Sequence, residues 1–321
     1  MTVAIVLALY GAFAALAGRR LLRRAAWPGR APRLAIALWQ AASVSVLVAA
    51  LLSVFAAVVP ADTVGHGLAG LFAACAGMLG HGARPSVTAA ATGLLAAGLV
   101  LTRVACTGGA VLTRARRARR RHSEALALLG RHDHDLDAVV VDYDERLAYC
   151  LPGRNGHSVI TTGALRCLAP EQVAAVLAHE QAHLRGRHHL VLAGAETLAR
   201  AFPRVPLFEH ARAEITRLVE LLADDVAARR HDRVHIAAAL VGLATGRVPG
   251  FALGAGGETA LTRVRRMLSP QAPLDRWRRT AGALTVTALL TGPAVLAATP
   301  GVSAFLAHHC HELLTLRLPS A

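Results

Sequence analysis

The sequence contains no lysine, so all 35 of its basic residues are arginine. Alanine and arginine are in excess together, as a GC-rich coding bias produces. The formal net charge of +15 and the isoelectric point near 11.3 therefore carry no argument for nucleic-acid binding. Where the arginines sit is more informative than their number. The five cysteines (Cys75, Cys106, Cys150, Cys167, Cys310) include no C-x-x-C pair. An odd, dispersed set argues against a disulfide framework and for small buried hydrophobes. A secretory signal peptide carries its positive charge ahead of the apolar run, and here none precedes it. Arg19, Arg20, Arg23 and Arg24 follow instead, so residues 1–18 read as a retained span with the N-terminus outside. The aspartates at 133, 135, 137, 142 and 144 lack calcium-loop spacing and read as solvated surface.

Apolar length is abundant. The chain is 54% hydrophobic with a mean hydropathy of +0.44, which points to several membrane spans. After residues 1–18, uncharged runs cover 34–60 and 280–299, and the run 86–113 is broken only by Arg103. Pro293 is expected to kink the last of these. Arginines cluster after the first run, after the third (Arg114, Arg116, Arg117, Arg119, Arg120, Arg121) and before the fourth (Arg276, Arg278, Arg279). By the positive-inside rule, four spans with both termini outside put every cluster in the cytoplasm. Residues 63–80 are apolar enough to compete as a fifth span, but read better as a glycine-rich external or re-entrant segment. The basic run 114–121 reads as a stop-transfer flank, with attraction to anionic headgroups as a by-product.

Residues 114–279 form the one sizeable non-spanning block. Its period is helical except near 138–162, where Val139–Val141 and Ser158–Thr162 read as strands around a Pro152-Gly153 and Asn155-Gly156 turn region. Two or three strands are expected beside the helix that follows. In that helix, opened by Pro170 and Glu171, stands His179-Glu180-Gln181-Ala182-His183. The i, i+4 spacing puts His179 and His183 one turn apart on one face, where two imidazoles can hold one metal ion. Glu180 lies beside them, placed to take a proton from an attacking water.

A catalytic zinc site ordinarily takes a third protein ligand. Glu220, in Glu220-Leu221-Leu222-Ala223-Asp224-Asp225 on a helix expected over 213–229, is the candidate. Asp224 shares its face one turn on and can accept the remaining N–H of a ligand histidine, expected to be His179, whereas Asp225 points about 100° away. The Ser158–Thr162 strand is expected to offer its edge to an extended substrate.

The segments Ala148-Tyr149-Cys150-Leu151-Pro152-Gly153, Ile160-Thr161-Thr162-Gly163, Val176 to His183, Phe202-Pro203-Arg204-Val205-Pro206-Leu207-Phe208 and Glu220 to Asp225 together resemble the catalytic core of BlaR/MecR-type membrane metallopeptidases. Part of the pattern is shared with HtpX-type membrane proteases. The resemblance implies a gluzincin-like zinc endopeptidase with His179, His183 and Glu220 as ligands to one Zn2+, Glu180 as base and Asp224 behind the ligands. It also implies signal transduction, with a BlaI/MecI-type repressor as target or partner. The best-known members carry an external penicillin-binding domain after the fourth span. Residues 300–321 hold no S-x-x-K motif, so direct β-lactam acylation is not expected.

The expected fold is a mainly α integral membrane protein of four transmembrane helices. A cytoplasmic α+β, zincin-like metallopeptidase domain (114–279) stands between a three-span region (1–113) and a fourth span (280–300), and 301–321 form a short external tail. The competing functions are an HtpX-type quality-control protease and a catalytically silent zinc-binding receptor or scaffold; the latter would have no need of Glu180. Intramembrane proteolysis is disfavoured by the polarity of residues 179–189. His188 and His189 are expected to cap the motif helix or face headgroups. His308-His309-Cys310-His311 is too contiguous for one closed metal site, and nothing singles out Arg103 or Arg185 to orient substrate.

Overall fold

The computed structural model describes residues 2–24, 27–58, 87–153, 156–244, 257–269 and 272–315. Segment 63–80 lies outside them, as do the side chains of His308–His311. The described chain is mostly helical, with one small sheet. It divides into two compact units, one of Met1–Arg24, Gln40–Ala105 and Thr280–Ala321, the other of Ala25–Trp39 and Cys106–Arg279.

The first unit is built from apolar helices: α1 (Thr2–Arg24), most of α2 (Pro32–Val58), the start of α3 (Val87–Leu129) and the body of α10 (Arg276–Thr315). Three stretches, Pro32–Ala57, Ala91–Leu129 and Arg276–Thr299, are long and apolar enough to cross a membrane, and Thr2–Gly18 is a shorter apolar helix. Small residues let α1 and α2 meet closely, with the Tyr10 and Ser45 hydroxyls 2.9 Å apart. Leu94, Leu95, Leu99, Leu284 and Val295 stand exposed. A water-soluble helix would bury that much leucine, and lipid has no need to. Two helices outrun the expected spans. The third continues past residue 113 to Leu129, carrying the arginine run, because arginine and alanine are good helix formers. The last runs without interruption through Pro293 and Pro300 to Thr315, so 301–315 continue that helix.

The second unit is organised around a four-stranded sheet, β1 (Gly130–Asp133), β2 (Ala138–Val141), β3 (Ala148–Leu151) and β4 (His157–Thr161), in the order β1-β2-β4-β3. Both hairpins are antiparallel, while β2 and β4 pair in parallel, Val140 opposite Ile160. The strand expected to offer an edge, Ser158–Thr162, is therefore interior: β4 is hydrogen-bonded on both sides. The second hairpin folds back over β2, so β3 takes the outer position that sequence order alone would give to β4.

Thr161 ends β4 and caps the short α4 (Thr162–Cys167), its Oγ1 accepting the Ala164 N–H at 3.2 Å. Gly163 is obligatory there, because a Cβ would lie 2.1 Å from the Asp144 carbonyl oxygen. Then come α5 (Pro170–Arg185), α6 (His188–Ala201), α7 (Pro206–Ala227), α8 (Arg233–Leu243) and α9 (Gly257–Leu268). Val140 and Ile160 on one sheet face pack against Val173, Val176 and Leu177 of α5. On the other face Tyr149 and Val159 are covered by Leu126 of α3. Behind α5, Ala175 meets Ala227, Ile236 and Met267 of the three later helices. Helix α5 is thus held between the sheet and a helical layer.

Candidate metal centre

Helix α5 starts where its sequence says it can. Pro170 occupies the first turn, where no N–H is needed, and Gln172 Oε1 accepts the Ala169 N–H at 3.1 Å. Val173, Val176 and Leu177 bury one stripe against the sheet, which turns His179, Glu180 and His183 inward; all three are buried. Helix α7 begins at Pro206, two turns before the expected 213, and its apolar stripe (Ile215, Leu218, Val219, Ala223) brings Glu220 and Asp224 to the same place.

His179, His183 and Glu220 each offer a ligand atom within 4.8 Å of the others. The two Nε2 atoms are 3.0 Å apart, and each lies 3.5 Å from an oxygen of Glu220. Both Nδ1 atoms have partners of their own. That of His179 lies 2.9 Å from Asp224 Oδ1, and that of His183 lies 3.0 Å from His188 Nδ1. With Nδ1 donating outward, each imidazole keeps Nε2 for the cluster, where loss of the His179 proton would leave two lone pairs for one ion. Two imidazole nitrogens and a carboxylate converging on one point are a donor set that suits zinc.

Behind the carboxylates stands Arg263 of α9, itself buried. It grips Asp224 with two hydrogen bonds, Nε to Oδ2 at 2.8 Å and Nη2 to Oδ1 at 2.7 Å, while Nη1 reaches Glu220 Oε2 at 3.0 Å. Asp225, the next residue, points elsewhere and pairs with Arg266 at 2.7 Å. On the strand side, the Cys150 thiol of β3 lies against Glu180. Burial, then the Glu180 charge, pushes that thiol well up, so it stays a protonated donor. A cavity of about 100 Å³ opens beside His179 and Glu180, walled by Ala148 of β3 and by Leu240 and Leu243 of α8.

The electrostatics follow from burial and from these contacts. Burial disfavours charge on His179, but the hydrogen bonds it donates to Asp224 and Glu220 outweigh it and raise its pKa to about 9. Burial, with His179 beside it, lowers His183 to about 3, leaving it a neutral donor. Burial also opposes charge on Asp224, yet Arg263 and His179 hold it well below the usual carboxylate range. Glu180 has no such clamp; burial and the Glu220 charge raise it to about 7 against the pull of His179. Three carboxylates thus face one guanidinium. A dication would bring the pocket to neutrality, which is what burial of that many acids requires.

Sequence reasoning missed two of these residues. His188 was assigned to a cap or to headgroups, but it is buried against His183 because the chain reverses sharply between α5 and α6. Arg187 takes a left-handed conformation (φ 47°), and a Cβ on Gly186 would lie 2.3 Å from His188 Nε2. Arg263 left one signal. With Ala260 and Met267 it falls on the apolar stripe of α9, where an arginine has no place without a buried acid to meet.

A buried His-His-Glu cluster with a free carboxyl next to it, on a helix laid against a small sheet, defines a metallopeptidase-type site. The comparison with known families gives the same class. Residues 112–208 match the model for Peptidase family M48, a segment that holds the motif helix and stops before Glu220. This supports a metallopeptidase of the membrane zinc class without singling out the BlaR/MecR type. No curated protein and no solved structure gives a match.

Proposed function

We propose that the protein is a membrane-embedded zinc endopeptidase that acts in regulation, cleaving a cytoplasmic protein such as a BlaI/MecI-type repressor. The observation that carries the peptidase reading is the convergence of His179, His183 and Glu220, both Nδ1 atoms tied outward, with Glu180 free beside them. Zinc, when bound there, would polarise the scissile carbonyl and acidify the attacking water. Glu180, held near neutrality, would accept the water's proton and return it to the leaving amine. Asp224 and His188 keep the ligand imidazoles in one tautomer, and Arg263 balances the acids. The free side of β3, which carries Cys150 against Glu180, is the edge on which an extended substrate would add as a strand; β4 has none to offer.

The one-sided arginine distribution supports a cytoplasmic catalytic unit with both termini outside. The repressor substrate is supported by the resemblance of residues 148–225 alone. An HtpX-type quality-control protease is the second reading, favoured by a family match that stops at the broader class.

The test is a pair of variants in the purified full chain. Glu180→Gln keeps stoichiometric zinc and loses peptide cleavage, while Glu220→Ala loses zinc. Equal zinc loss in both would mean that the roles of ligand and base are misassigned. Cleavage of a co-expressed winged-helix repressor at one bond favours regulation; degradation of misfolded membrane proteins with the repressor untouched favours quality control.

A further inference from the structure

Arg116, Arg119, Arg120 and Ser123 recur at helical spacing, so they share one face of α3. That face looks onto the end of β3 and the start of β4. Together with Leu151, Pro152, Gly153 and His157 it lines an open cleft of about 430 Å³. Arg120 pairs with Glu124 at 3.0 Å in open solvent. Arg116 and Arg119 have no carboxylate within ion-pair reach among the described residues, although two like charges one turn apart repel. Two arginines without a carboxylate partner among the described residues, beside a cleft holding a hydroxyl and an imidazole, suit an anion.

Size and position narrow the anion. The cleft falls in the range of small-molecule sites of roughly 300–1,000 Å³, too roomy for an inorganic ion alone. Leu151 and Pro152 give it an apolar wall, so the ligand carries carbon beside its charge. Arg116 follows the apolar part of α3 by three residues past Thr113, about 4.5 Å of helix rise. With that apolar stretch in hydrocarbon, Arg116 follows it along the same helix at the depth of lipid phosphates.

We propose that this cleft binds the phosphate headgroup of an anionic phospholipid between Arg116 and Arg119 on one side and Pro152, Gly153 and His157 on the other. The contact reaches toward the metal centre. Gly156, just before β4, lies so close to α5 that a Cβ there would meet Leu184 Cδ2 at 3.1 Å, and Leu184 adjoins His183.

The experiment titrates phosphatidylglycerol into the full chain in zwitterionic detergent, counting bound lipid by native mass spectrometry. Phosphatidylcholine, inorganic phosphate and glycerol phosphate serve as the other arms. Saturable phosphatidylglycerol binding is expected, weakened about 30-fold by Arg116→Gln/Arg119→Gln and about 5-fold by Arg116→Gln alone. The exposed single variant removes a charge without disturbing the fold, so it decides the matter if the double variant misfolds. Arg229→Gln/Arg230→Gln, with the same charge loss on the exposed turn after α7, should leave affinity unchanged. Equal loss in both pairs would reduce the effect to net charge and overturn the site. Inorganic phosphate or glycerol phosphate binding as tightly as the lipid would overturn the lipid assignment.

Discussion

Replacing Asp224 by asparagine keeps the side chain's shape and removes its charge, which separates two tasks that one carboxylate performs. Asp224 is fully buried; it accepts from His179 Nδ1 at 2.9 Å and from Arg263 at 2.7 and 2.8 Å. Asparagine has one acceptor and one donor where the site presents donors on both sides. Whichever way the amide faces, at least one N–H group loses its acceptor, and Glu220 is the one carboxylate still paired with Arg263. Breaking a buried ion pair costs about 3–5 kcal/mol. The surviving contact to Glu220 at 3.0 Å puts the expectation for the metal-free protein near the lower end, about 3 kcal/mol. Asp225→Asn is the control. It weakens a partly buried pair with Arg266, less enclosed than that of Asp224, and should cost about 1 kcal/mol. The assay is unfolding of the purified chain in detergent, with and without zinc, alongside zinc affinity by chelator competition. Asp224→Ala should weaken zinc about 10–100-fold by freeing His179. Asp225→Asn as damaging as Asp224→Asn would mean that the face of α7 turned to the site is wrong, and Glu220 would leave the ligand set with it.

His188→Phe should retain the fold and lower zinc affinity about 10–100-fold, since it removes the acceptor that holds the His183 tautomer; unchanged affinity would make His188 mere filling. Zinc affinity should rise with pH. The metal-free His179, raised to about 9, carries a proton at pH 7 that binding must expel, so the slope approaches tenfold per unit up to about pH 9 and flattens above. Calorimetry in two buffers of different ionisation enthalpy measures that proton, and none released at pH 7 refutes the charge state. Topology reporters fused after residues 60, 125, 250 and 310 should report 125 and 250 inside and 60 and 310 outside. An external signal at 125 or 250 would overturn the four-span arrangement.

Local spacing was readable and long-range closure was not. The i, i+4 pairs His179/His183 and Glu220/Asp224 announce a shared face because helix geometry fixes it, whatever the helix packs against. Nothing local could place Arg263, 84 residues after His179. His188 depends on a left-handed Arg187, where the sequence would sooner assign the turn to Gly186. Strand β1 is Gly-Arg-His-Asp, with no strand propensity of its own, and exists because β2 pairs with it. The parallel β2–β4 pairing moved β4 to the interior, a fact of topology that alternation along one strand does not encode.

The 84 residues between His179 and Arg263 also set a clock. At about 5–20 residues per second, a ribosome needs roughly 4–17 s to go from the motif helix to the arginine. Throughout that interval the nascent chain owns two histidines and a base, but neither a third donor at first nor, later, the cation that lets two acids share a buried pocket. A metal site assembled in that order is incomplete while its own unfolded segments, and those of neighbouring polysomes, are within reach. Its carboxylates gain their cation only once Arg263, on α9, has docked.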